Sequence, residues 1–87
     1  MPHPRFEVMS RDDVIRAARE LKPKPVREWG CVVVLDGRET EFPVKQLFKE
    51  AANQVASTDP KVTPADFISH FAADRLTKLG FEVRYHG

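Results

Sequence analysis

Five basic residues lie within twelve positions, Arg16, Arg19, Lys22, Lys24 and Arg27, with Glu20 the one acid among them. A one-signed run of this kind can follow a phosphate backbone, because each cation placed on a phosphate releases a counterion. It is also the pattern of a solvated helix face followed by a solubilising linker. A second set is Arg38, Lys45 and Lys49. Lys45 falls near the start of a predicted helix, where the backbone amides and the dipole already favour an anion. A lysine there works slightly against the helix, and phosphate binding would offset that; the alternative is an ordinary solvated lysine. Glu39, Glu41 and Glu50 are close enough in sequence to neutralise the patch. Trp29 can stack on an exposed base or sit at the core edge with its N–H paired, and Tyr85 poses the same choice. These nine residues (Arg16, Arg19, Lys22, Lys24, Arg27, Trp29, Arg38, Lys45 and Lys49) are the candidate DNA-binding set.

Other reactive side chains point less far. His70 has Asp66 four residues before it and Asp74 four after. One helix face carrying all three could bind a metal or act as an acid–base pair, but such a series is more often a surface ion-pair ladder. The three histidines and one cysteine have no zinc-site spacing. Cys31 has no adjacent lysine or histidine to lower its pKa, so it reads as a buried, inert thiol. There is no glycine-rich phosphate loop and no nucleophile elbow. The expectation is a non-enzyme, with no catalytic residue, metal or cofactor.

Composition bounds the scaffold that must position these groups. The chain has 87 residues, 41% hydrophobic and 31% charged, with a net charge of +1. That predicts one α+β domain over residues 10–87, preceded by a flexible arm at 1–9. The small net charge removes any global attraction to nucleic acid, so a contact must come from local charge distribution. A single cysteine excludes an internal disulfide and fits a reducing cytosol. The longest apolar run, Cys31 to Leu35, is too short to span a bilayer, and the N-terminus lacks the apolar stretch of a signal peptide. No membrane partner and a cytoplasmic location are expected.

Periodicity orders the elements. Ser10 is an N-cap, with Asp13 as a weaker capping-box partner, for a helix from Arg11 to about Leu21. Lys22 to Glu28, with Pro23 and Pro25, reads as a stiff extended connector. Val32 to Leu35 is a buried strand, Asp36-Gly37 a turn needing positive φ, and Arg38 to Phe42 the return strand. Val44, Leu47, Phe48, Ala51 and Val55 form the apolar face of a second helix. Thr63, Pro64 and Asp66 begin a third helix running to about Leu79, with Ile68, Ala72, Leu76 and Leu79 as its buried stripe. Gly80 is the expected left-handed cap, and Phe81, Val83 and Tyr85 alternate as a last strand added to Val32–Leu35. The predicted order is α-β-β-α-α-β, three antiparallel strands with three helices on one face.

This order of motifs resembles a known family. Ser10-Arg11-Asp12-Asp13-Val14, Leu35-Asp36-Gly37-Arg38, Phe42-Pro43-Val44-Lys45, Asp66-Phe67 and Leu79-Gly80-Phe81-Glu82-Val83 together resemble the N-terminal domain of modification-dependent HNH restriction endonucleases of the McrA type. The resemblance covers about residues 10–84. It implies a module contacting double-stranded DNA in a restriction–modification setting, with modified cytosine as a possible target. Two departures stand: the Ser-Gly-Gly often found after Asp-Phe in that family is Ile68-Ser69-His70 here, and the family usually continues into a nuclease domain whereas this sequence stops at Gly87, so cleavage is not expected from these residues. The alternative is a protein–protein interaction or oligomerisation domain, the partner being a larger protein or a second copy paired through a sheet edge.

Overall fold

The computed structural model describes residues 4–22 and 24–87. The chain runs α1 (Pro4–Val8), α2 (Arg11–Glu20), β1 (Trp29–Leu35), β2 (Arg38–Pro43), α3 (Val44–Gln54), a 3₁₀ turn (Pro64–Asp66), α4 (Ser69–Lys78) and β3 (Glu82–Tyr85). It is an α+β fold with a three-stranded antiparallel sheet in the order β2-β1-β3. Asp36 and Gly37 both have positive φ, 51° and 80°, as the tight hairpin turn requires. Val33 pairs with Thr40 and Cys31 with Phe42, so Cys31, Val33 and Phe42 turn to the helical layer. On the other side Val32 and Val34 share an outer face with Glu39, Glu41 and Glu82. The last strand does add to β1, but beside Trp29–Val32 rather than Val32–Leu35.

The core joins Val14, Ala17 and Ala18 of α2 to Val44, Leu47, Phe48, Ala51 and Ala52 of α3 and Ala72, Ala73 and Leu76 of α4. The Ser10 capping box is formed in both directions, with Asp13 accepting from the Ser10 backbone at 2.9 Å. Gly80 has φ 94° and closes α4: its N–H donates to Thr77 O at 2.9 Å and that of Phe81 to Leu76 O at 3.1 Å.

Two expectations are corrected. The arm at 1–9 is not loose over its described part. Pro4–Val8 is helical, and Phe6 is buried against the rings of Phe48, Phe67 and Phe71 at centroid distances of 4.9, 5.7 and 5.3 Å. Residues 1–3, and the Pro23 part of the connector, lie outside the described residues. The third helix is also split. Its capping box at Thr63 and Asp66 exists but closes only the 3₁₀ turn, and α4 starts afresh at Ser69. Phe67, extended at φ −158°, is what separates them, because leaving the helix lets its ring enter the aromatic cluster. Ile68 is therefore 67% exposed instead of buried.

Candidate nucleic-acid interface

The predicted basic residues do not gather into one patch. Arg16 is paired with Asp13, and Lys49 Nζ is 3.1 Å from Glu50 Oε1. Arg19, Lys22 and Lys24 are exposed on the end of α2 and on the connector. Arg38 adjoins the hairpin turn, at the opposite end of β2 from Pro43, roughly 17 Å by strand rise. Arg38 therefore does not join Lys45 in one patch, because the extended β2 strand holds the two apart.

Three of the nine do meet. Arg27, Trp29 and Lys45 line one open cavity of about 290 Å³, together with Pro25, Glu28, Pro43, Val44 and Ser69. Pro25 and Arg27 arrive on the connector, Trp29 begins β1, and Val44–Lys45 and Ser69 open α3 and α4. Both helix starts are electrostatically open. Neither N-cap, Pro43 nor Ile68, makes a side-chain capping bond, and neither first turn holds an acid. In α2, by contrast, the capping box, Asp12 and Asp13 occupy that end. Two helix starts without side-chain caps and two cations adjoin one cavity, and an anion is the electrostatic complement of that set. Glu28 is the single carboxylate in the lining and weakens that field.

The side chains are held in place. Lys45 Nζ lies 5.6 Å from the centre of the Phe67 ring, a cation–π placement. Trp29 is half-buried, 4.7 Å from the Tyr85 ring and 5.7 Å from the His70 imidazole. Tyr85 is 60% exposed and His70 exposed, so this aromatic group has an open side. A second cavity of about 210 Å³ is lined by Trp29 and His70 with Ala73, Asp74, Thr77 and Val83.

The His70 constellation does not assemble. Asp66 is on the 3₁₀ turn, accepting from Thr63 N–H at 2.8 Å, and Asp74 is 3.2 Å from Lys78 Nζ. Among the described residues no three His, Cys, Asp or Glu side chains are placed to hold a metal ion. No helix among them is long and apolar enough to cross a membrane.

Cys31 is fully buried, and its thiol is pushed up from 9.0 to about 12, first by burial and then by the Glu41 carboxylate. Between those values the unfolded chain gives up the thiol proton and the folded one keeps it. Stability should therefore fall as pH rises above about 9, by at most about 1.4 kcal/mol per pH unit from this group. Urea unfolding at pH 8 and pH 10 should show a steeper loss for the native chain than for Cys31→Ala. Equal losses would mean the thiol is not so shielded.

Sequence reasoning missed Ser69, since the third helix was expected to begin at Pro64. It also missed the pairing of Trp29 with His70. No local capping signal marks Ser69: the N-cap of α4 is Ile68, which makes no side-chain bond, and Thr63-Pro64 is the stronger helix start in the sequence. Compared with known proteins, the chain matches no family model, no curated protein and no solved structure.

Proposed function

We propose that the protein is a small DNA-binding module that contacts phosphates through Arg27 and Lys45 and stacks on Trp29. The observation that carries this reading is that these three residues line one cavity at the uncapped starts of α3 and α4. Phosphate would be held by the two cations and by first-turn amides that no side-chain cap occupies, while the open side of Trp29, His70 and Tyr85 offers a stacking surface for an exposed base. The likeness of the motif order to the McrA-type domain supports DNA as the polymer and modified cytosine as the base to test. Lys24 immediately precedes Pro25 of the lining and extends the cationic approach.

Fluorescence anisotropy with duplexes containing plain, 5-methyl- and 5-hydroxymethyl-cytosine tests this. Binding should weaken with salt at a logarithmic slope near about −2, as two to three neutralised phosphates require. Arg27→Glu with Lys45→Glu should weaken it at least about tenfold, whereas Arg38→Glu at the far end of the hairpin should leave it within about twofold. Absence of binding to all three duplexes at about 50 mM salt, or an undiminished double variant, would end the proposal.

A further inference from the structure

β3 stops short along β1. Their register ends at Val32 opposite Glu82, but β1 continues through Val33, Val34 and Leu35. The chain ahead of Glu82 cannot extend the ladder, because Gly80 and Phe81 direct their N–H groups back to Thr77 and Leu76 in the cap of α4. Hairpin parity then dictates where Val34 points. A two-residue turn makes its flanking residues, Leu35 and Arg38, a hydrogen-bonded pair, and bonded and non-bonded pairs alternate along an antiparallel ladder. Val34, opposite Glu39, is a non-bonded pair, so its N–H and C=O face away from β2, toward the side where β3 has ended.

A cavity of about 230 Å³ lies there, bounded by Arg11, Ile15, Val34, Glu39, Phe81 and Glu82. It is smaller than the roughly 300–1,000 Å³ of a small-molecule site, and one wall is strand edge, which an added chain completes. Arg11 is already engaged, its ion 4.5 Å from the Phe81 ring centre and its Nη1 donating to Leu79 O at 2.6 Å. The Val34 side chain is 58% exposed. Around it the outer face is acidic: Glu82 takes Arg84 and Glu41 takes His86, while among the described residues Glu39 has no ion-pair partner. All three glutamates hold Arg84 in its charged form, the Glu82 hydrogen bond most of all.

We propose that this uncovered edge of β1 is a docking slot for a short extended segment of another protein. The segment pairs its backbone with Val34 and carries lysine or arginine on the side chains that share the outer face with Glu39 and Glu82. Its intervening aliphatic side chains turn inward, toward Ile15 and Phe81. The slot is independent of the nucleic-acid reading, since Val34 is five residues along β1 from Trp29, about 17 Å.

Amide-resolved NMR with acetyl-Lys-Val-Lys-Val-Lys-amide as the probe tests the slot. In the free protein the Val34 amide should exchange at least about a hundredfold faster than that of Val33, which is bonded to β2. Adding the probe should slow that exchange and shift Val34, Glu39 and Glu82. The Glu-Val counterpart should bind at least about tenfold more weakly, and Glu39→Lys, at an exposed site, should remove the preference. A Val34 amide protected in the dilute free protein, no binding at about 1 mM probe, equal binding of both peptides, or shifts confined to Arg27, Trp29 and Lys45 would each overturn the proposal. Protection that appears only as protein concentration rises assigns the slot to a second copy and equally overturns it.

Discussion

Replacing Arg5 with methionine is expected to destabilise the protein by about 3 kcal/mol or more, lowering the thermal midpoint by roughly 12–24 °C for a domain of this size. Arg5 is buried, and among the described residues its guanidinium donates to five backbone carbonyls. Nη1 reaches Val55 O at 2.9 Å and Ala52 O at 3.3 Å, at the end of α3. Nη2 reaches Asp59 O at 2.7 Å and Ser57 O at 3.2 Å, and Nε reaches Pro60 O at 3.1 Å. A helix ends with carbonyls that lack partners, and a cation there also meets the negative end of the dipole. One side chain thus terminates α3 and folds the following loop around itself. Methionine keeps much of the stem and removes every donor, so the loss isolates the hydrogen bonds from the packing. Lysine keeps the charge with three donors instead of five and should recover part of the stability. Calorimetry on the three proteins decides the matter; an Arg5→Met variant within about 0.5 kcal/mol of the native chain would mean that α1 does not anchor this loop.

The second large effect is expected at Phe48. Phe48→Ala should cost about 3–5 kcal/mol. That is a large fraction of the roughly 4–13 kcal/mol that a chain of 87 residues commands. Phe48 has no exposed surface, and its ring lies 4.9, 5.0 and 5.9 Å from those of Phe6, Phe67 and Phe71. These rings come from α1, the segment between the 3₁₀ turn and α4, and α4 itself. Deleting the central ring therefore leaves three elements facing a void. Guanidinium unfolding should show the loss, with Ile68→Ala as the comparison at within about 0.5 kcal/mol. If the two variants lost equal stability, Ile68 would be packed as deeply as Phe48 and not exposed.

The same contrast shows why part of the fold was legible beforehand. The hairpin, the Ser10 cap, the buried faces of α2 and α3 and the Gly80 cap each follow from spacing within a short window. Alternation, a positive-φ dipeptide or a capping pair is satisfied by neighbours in the chain, so it can be read there. The Phe67–Ile68 choice is different. Both residues are apolar and adjacent, and helical periodicity favours Ile68 on the stripe. Only the pocket made by Phe6 and Phe48 selects Phe67, and those rings come from distant parts of the chain.

What the amino-acid order determined by itself is most of the elements (α2, the hairpin, α3 and β3, but neither α1 nor the break between the 3₁₀ turn and α4), the α+β class, the burial of Cys31 and the presence of two basic clusters. Tertiary structure decided which charges meet. Arg27 and Lys45 belong to different clusters but flank the same cavity, while Arg38 and Lys45, near in sequence, stand at opposite ends of β2. It also decided that Pro4–Val8 is anchored, since the carbonyls that hold Arg5 lie 47 to 55 residues away. Local patterns encode φ, ψ and the buried face of one element; long-range electrostatic complements exist only after the elements pack, and no periodicity within a segment can specify them.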